Sequence, residues 1–359
     1  MKVIELTAIL NEPEREMSNF TDLVYIDEDE LTIKRHKKGK GFYYTRNGQK
    51  ITNTSQIKRF NSLAIPPAWT EVRITHLKNG HLQAVGLDSK DRKVYIYHDD
   101  WIRFRSQTKF LKMAAFGKKI PAIRKQVEKD LKLPELTRDK VLALVIKLME
   151  ETHIRIGNQY YAEENKSYGL TTLRTKHLTK SGETITFTFQ GKKGKKHEIT
   201  LVDKRLIDLV NQCEELPGWE LFRYYDKNKT AQTIDSTMIN EYIQNISGEI
   251  FTAKDFRTWS ASKICFETLN NLGYTEKTSE NKKNRIKALD TTAEALGNTR
   301  SVCEKYYVHP NITTCYEDGD IQKYFKKLDS NRFKKSKYFS KTEKVMLQMI
   351  KDFEPDAEE

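Results

Sequence analysis

The chain has 359 residues, 37% hydrophobic and 10% aromatic, enough to bury a core in each of two domains. Its 63 Lys and Arg against 50 Asp and Glu leave a net charge of +13, which favours a polyanionic partner; nucleic acid ranks before an anionic membrane surface, because no basic amphipathic helix stands alone at a terminus. No apolar run approaches the ~18 residues of a membrane span, and the four dispersed cysteines (Cys213, Cys265, Cys303, Cys315) make neither a C-x-x-C metal pair nor a disulfide framework, which suits core packing in a reducing compartment.

The N-terminal MKVIELTAILNEPERE lacks the basic and apolar regions of a signal peptide. Up to about residue 100 the elements are short strands: Leu31–Arg35, Gly41–Tyr44, Val72–Thr75, Leu82–Val85 and Tyr95–Tyr97. Asn47-Gly48, Pro66-Pro67 and Asn79-Gly80 punctuate them. Residues 1–104 are therefore expected to form a small β-rich domain, joined to the next near residues 100–108. After Trp101 the period becomes helical: Val141, Leu144, Val145, Leu148 and Met149 form one apolar stripe, with Thr137 at its start. Further helices are expected around 203–214, 235–246, 255–271, 285–296 and 340–351. Residues 105–359 thus read as a larger, mostly helical domain, and the fold class as α+β. One β interruption lies at 183–202, where Ile185, Phe187 and Phe189 alternate with Thr, a Gly-Lys turn follows, and His197–Leu201 returns as a hairpin. Basic clusters recur at 34–40, 192–196, 282–287 and 323–337, several beside aromatics such as Phe42, Tyr43, Tyr324 and Phe333. Basic residues interleaved with aromatics suit a nucleic-acid track, with a solvated face as the plain alternative. The acidic end, DFEPDAEE, is expected to fray.

Missing motifs narrow the chemistry. The sequence has no P-loop, no H-E-x-x-H and no G-x-S-x-G, and no tight D-x-D pair beside a hydrophobic strand for a two-metal nuclease. Its eight histidines lack ligand spacing, so no metal is expected. Cutting a phosphodiester without metal needs a nucleophile, cations on the nonbridging oxygens and an acid for the leaving alkoxide. Tyrosine, arginine and lysine suit these tasks in that order.

Four ordered segments supply such groups. They are Arg155-Ile-Gly-Asn-Gln-Tyr-Tyr161 with Tyr168–Arg174 and His177; Phe189-Gln-Gly-Lys192-Lys-Gly194; Lys254-Asp-Phe-Arg257; and Leu296-Gly-Asn298-Thr followed by Tyr307-Val-His-Pro310. In this order they resemble type IB DNA topoisomerases of the small poxvirus and bacterial kind. Leu63–Thr70 (LAIPPAWT), Gly86-Leu-Asp88, Arg92, Tyr95 and Tyr97-His98 resemble that family's N-terminal domain, so the likeness spans roughly residues 25–320.

The resemblance implies a two-domain clamp around duplex DNA, with a recombinase-like helical catalytic domain. Tyr307 would be the nucleophile, Arg155 and Arg257 the phosphate clamp, Lys192 the acid on a mobile hairpin, and Asn298 a further donor. Lys254, one turn before Arg257, would assist; Tyr95, Tyr97, Tyr161, Lys34, Arg35 and Lys37 would contact DNA. From the residues alone Tyr306 rivals Tyr307, and Lys193 and Lys195 rival Lys192; the family's Val-His-Pro and Phe-x-Gly-Lys spacings select Tyr307 and Lys192. Asn298 departs from the poxvirus branch, which has His there. The resemblance further implies relaxation of supercoils through a 3′-phosphotyrosyl intermediate, no ATP, metal or other cofactor, and a monomer. It places the protein in the cytoplasm at the nucleoid, or in a virion or host-cell compartment for a viral source, and not among secreted proteins. A tyrosine recombinase is the first rival, although such enzymes usually show H-x-x-R where this chain has Lys254-x-x-Arg257. A non-catalytic DNA-binding protein is the second.

Overall fold

The computed structural model describes Glu16 and residues 22–352 other than 331–333 and 335. The rest of the N-terminal segment, Phe333 and the acidic end beyond Asp352 lie outside the described residues. One compact unit ends at Lys112 and a second begins at Met113.

The first unit holds strands β1 (Ile33–Lys38), β2 (Gly41–Arg46), β3 (Gln49–Lys50), β4 (Thr70–Ile74), β5 (Leu82–Leu87) and β6 (Lys93–Tyr97). They form one antiparallel sheet in the order β3-β2-β1-β4-β5-β6. Asn47 and Gly48 both take positive φ, 50° and 79°, the type I′ turn that suits a two-residue hairpin. Helix α1 (Thr54–Ser62) is capped by Asn53, whose side chain accepts from the Gln56 N–H. Only Ile57 and Phe60 mark its inner side, too few to announce a helix by period; Phe60 closes a core of Ile33, Tyr44, Val72, Ile74 and Ala84.

Helix α2 (Asp99–Asp130) takes in residues 100–108 where the sequence suggested a join, and the division between the units falls inside it. Asp99 and Asp100 in its first turn favour the start of a helix through its dipole. It is long enough to span a membrane, yet among the described residues no helix is both long and apolar enough to do so.

The second unit contains α3 (Arg138–Thr152), α4 (Gln159–Asn165), β7 (Leu178–Ser181), β8 (Thr184–Gln190), β9 (Lys196–Leu201) and α5 (Lys204–Glu214). After these come β10 (Arg223–Tyr225), β11 (Ala231–Thr233), α6 (Ser236–Ser247), α7 (Ala253–Leu272) and α8 (Thr278–Leu296). The last helices are α9 (Arg300–Tyr306), α10 (Pro310–Glu317), α11 (Gln322–Asp329) and α12 (Lys341–Lys351). The expected helices thus form, and the expected hairpin gains a third strand, β7-β8-β9. Thr137 caps α3 as its position suggested. But α3 is no surface helix with one stripe: Val141–Ile146, Leu148 and Met149 are all buried, the mark of a central helix covered on every side.

A charged network locks four of these helices together. The Arg124 guanidinium on α2 pairs with Glu150 on α3 at 2.9 Å and with Glu343 on α12 at 2.8 Å, and donates to the Tyr338 carbonyl. Trp259 on α7 adds its indole N–H to Glu343 at 3.0 Å. Burial pushes the Glu343 carboxyl up, but Arg124 and the Ser340 and Trp259 donors outweigh it and hold it at about 2. A carboxylate held below its ordinary value stabilises the fold above that value, and the contribution disappears as pH falls toward the folded one. Glu343→Gln should therefore cost about 3 kcal/mol near neutrality, by leaving Arg124 short of a buried counter-charge. It should also flatten the loss of stability between pH 4.5 and about 2. Thermal melts across pH check this; an acid limb unchanged by the substitution would show that the network does not set it.

Candidate active site

Arg155 lies in the short connection between α3 and α4, and two hydrogen bonds fix that connection. Leu170 N–H donates to the Arg155 carbonyl at 2.8 Å and Thr171 N–H to the Ile156 carbonyl at 2.7 Å. The two segments touch so closely that a Cβ on Gly169 would stand 2.5 Å from the Arg155 carbonyl oxygen; only glycine fits. The Arg155 guanidinium donates to the side-chain carbonyl of Asn298. Asn298 follows Gly297, which ends α8 in the left-handed region at φ +62°.

Arg257 sits on α7 and is 5% exposed. Its Nη1 donates to the His153 carbonyl at the end of α3, and its Nη2 to the Leu296 carbonyl at the end of α8, at 2.9 Å. Its Nε has no partner, and neither does the buried Asn298 amide nitrogen. Among the described residues no carboxylate pairs with Arg257. Burial pushes this guanidinium down, to about 10, Arg155 pushes the same way, and Tyr307 pulls it back up; it stays charged at neutral pH. The Tyr307 ring centroid is 5.6 Å from the guanidinium carbon.

Tyr307 ends α9, with its N–H on the Cys303 carbonyl at 2.9 Å. Ser262, one of the fully buried residues of α7, holds this stretch: its hydroxyl donates to the Tyr307 carbonyl at 3.3 Å and accepts from the His309 N–H at 2.9 Å. His309 in turn caps α10 through its own side chain. Tyr306, the rival by sequence, is exposed and lies beside Lys305. The histidines near the arginines are kept neutral. Burial, then the charges of Arg257 and Lys263, push His153 down to about 4. Burial, then Arg155, Lys195 and Arg257, push His197 down.

Arg155, Arg257, Asn298 and Tyr307 are thus brought together. Lys192 is not: it is exposed on the turn Lys192–Gly194, and no hydrogen bond or ion pair joins it to those four among the described residues. Lys195 of the same turn is the lysine whose charge reaches Cys303 and His197. Lys254 is exposed on the first turn of α7 while Arg257 is buried, so the two differ in environment despite their spacing. In the N-terminal unit Lys34 and Lys37 are exposed. Arg35 instead stacks on Phe42 and donates to the Ile65, Pro66 and Trp69 carbonyls, holding the loop before β4. Tyr95 and Tyr97 stack at 5.9 Å on the outer side of β6, with the Tyr95 hydroxyl on Glu28. Tyr161 is exposed beside Tyr160. Neither Ser262 nor the His153 carbonyl is legible in the residues: the first is one polar residue on an apolar helix face, the second a backbone group.

A tyrosine against a buried arginine, a second arginine nearby and two unpaired donors make a site that can hold a phosphodiester by side chains alone. Models of two protein families match this chain: the catalytic core of eukaryotic DNA topoisomerase I over residues 99–337, and the N-terminal domain of bacterial DNA topoisomerase IB over residues 41–88. The DNA topoisomerase 1B of Acanthamoeba polyphaga mimivirus is 37% identical over 298 residues, which cover 80% of this chain and 88% of that protein. The DNA topoisomerase I of monkeypox virus is 25% identical over 66% of this chain and 73% of its own length. A solved XerH site-specific recombinase bound to its palindromic difH substrate aligns at a TM-score of only 0.33 with 16% identity, over 66% of this chain and 59% of that one. The chain belongs to the type IB DNA topoisomerases, which are isomerases.

The Arg257 fork yields a direct expectation. A lysine presents its donors on one nitrogen and cannot span the His153 and Leu296 carbonyls together. Arg257→Lys should slow single-turnover DNA cleavage by about 10²–10³-fold, the usual cost of losing a preorganised donor to a developing anion. A wild-type rate in a rapid-quench assay would show that the fork is dispensable.

Proposed function

We propose that the protein relaxes supercoiled duplex DNA by transient cleavage of one strand at Tyr307. The Tyr307 oxygen forms a bond to the scissile phosphorus, the bond to the 5′-oxygen breaks, and a 3′-phosphotyrosyl ester holds the strand. The phenolic proton leaves to water, and the Lys192 ammonium gives a proton to the departing 5′-oxygen. Arg155 and Arg257 hold the nonbridging oxygens as charge develops, and Asn298 donates from its unpaired amide. The free end turns about the intact strand, then its hydroxyl attacks the ester and expels Tyr307. The ester conserves the bond energy, so neither ATP nor a metal takes part. Lys254, Lys34, Lys37, Tyr95, Tyr97 and Tyr161 serve as contacts along the duplex, and the protein acts as a monomer.

The observation that carries this reading is the contact of Tyr307 with Arg257, whose Nε faces no partner in a buried site. A buried donor left unpaired costs free energy, and a bound phosphate oxygen removes that cost. A recombinase would use similar chemistry, but the two family matches and the relatives' names favour a topoisomerase.

Negatively supercoiled plasmid incubated with the protein in excess EDTA and without ATP tests it. The wild type should relax the plasmid and Tyr307→Phe should not, with a covalent protein–DNA adduct trapped by denaturant only for the wild type. Relaxation by both would move the nucleophile to Tyr306; relaxation by neither would overturn the mechanism. The electrostatic share of binding is checked by salt: affinity for a short duplex should fall by about 10³-fold or more between 50 and 200 mM salt if six or more phosphates are contacted.

A further inference from the structure

The imidazole of His197 occupies a slot that the proposed chemistry leaves unused. His197 on β9 pairs with Phe189 on β8, and their rings stack at 5.1 Å and 14°. Two glycines close on its edges. A Cβ on Gly191 would stand 2.7 Å from its Cδ2 and Nε2, and a Cβ on Gly297 would stand 2.5 Å from its Cε1. Gly191 directly precedes Lys192, and Gly297 directly precedes Asn298. One ring therefore separates the root of the lysine turn from the turn that presents Asn298. The root itself is tied down, with Gly191 N–H on the Lys195 carbonyl at 2.7 Å and Gly194 N–H on the Gly191 carbonyl at 3.1 Å.

We propose that His197 is a positioning residue: its ring is the spacer that sets the β8–β9 turn, and with it Lys192, against the Gly297–Asn298 turn of the active site. The proposal rests on reading Lys192 as the acid for the 5′-oxygen. A general acid must come within hydrogen-bond reach of its oxygen, and a displacement of about 1 Å can cost about 100-fold. An exposed lysine on a short turn has no other anchor than the root of that turn. The ring works by shape: it is pushed toward its neutral form by burial and by the neighbouring cations, and its planar faces and edges make the contacts.

The test compares single-turnover cleavage of two duplexes, one with the natural 5′-oxygen at the scissile phosphate and one with sulfur there. A thiolate leaves without a proton, so sulfur removes the need for the acid and for whatever places it. Lys192→Ala and His197→Ala should each lose about 100-fold on oxygen and return to within about threefold of wild type on sulfur. His197→Phe, which keeps a flat ring on Phe189, should recover most of the alanine loss. Gly191→Ala crowds the same ring from a backbone with φ −98°, which alanine tolerates, and should show the same sulfur-sensitive defect at about tenfold. If sulfur rescues Lys192→Ala but leaves His197→Ala and Gly191→Ala equally slow, the proposal fails while the role of Lys192 stands. If sulfur does not rescue Lys192→Ala, the reading of Lys192 fails and takes the proposal with it. If His197→Ala does not fold, Gly191→Ala on the same two duplexes decides between these outcomes.

Discussion

A guanidinium buried without a carboxylate is the constraint around which the second unit is built. Among the described residues Arg257 donates to two backbone carbonyls, His153 and Leu296, with no carboxylate paired to it, and it lies within the field of a second cation, Arg155. Burying such a group is costly unless its donors are met. Here they are met only in part, with Nε left open beside Tyr307. On the proposed mechanism the site is therefore held in the state that suits a bound phosphate, and the fold bears the cost of the open donor.

The surrounding architecture explains how that cost is borne. The carbonyls that receive Arg257 are the last turns of α3 and α8, so one side chain joins three helices. Helix α3 is buried all round, and Arg124 clamps it to α2 and α12 while Trp259 brings in α7. Ser262 on α7, the same helix that carries Arg257, then tethers the Tyr307 backbone at the end of α9 through one serine hydroxyl. Arg155 is the exception, on a connection; the close approach of Gly169 and two backbone bonds make that connection nearly as stiff.

Much of this was legible in the residues, and the limits have physical causes. The stripe at Val141–Met149 announced α3 because its period is strong, and the alternation of Ile185, Phe187 and Phe189 announced β8. Helix α1 escaped because two apolar positions carry no period. The continuation of α2 through residues 100–108 escaped because the basic, polar stretch there reads as a linker until it is seen as a helix. Within the site, the grouping of Arg155, Arg257, Asn298 and Tyr307 follows the order of motifs. The partners that fix them are backbone carbonyls and one serine, which no motif records. Arg35 shows the converse: a residue in a basic run that spends its donors on the carbonyls of its own domain.

The contrast between the clamp and the lysine turn has a chemical sense. In the proposed mechanism, groups that hold the phosphate must keep their charge and place through cleavage and religation alike, and the arginines and Asn298 are buried or half-buried on fixed backbone. The proton for the 5′-oxygen, in the same mechanism, is given in cleavage and taken back in religation, which needs a group that can come within reach of that oxygen in both directions. A lysine on an exposed turn meets that need. Exposure, however, loosens position. A turn that is free at its tip and fixed at its root reconciles the two demands, and the ring of His197 lies where such a root must be fixed.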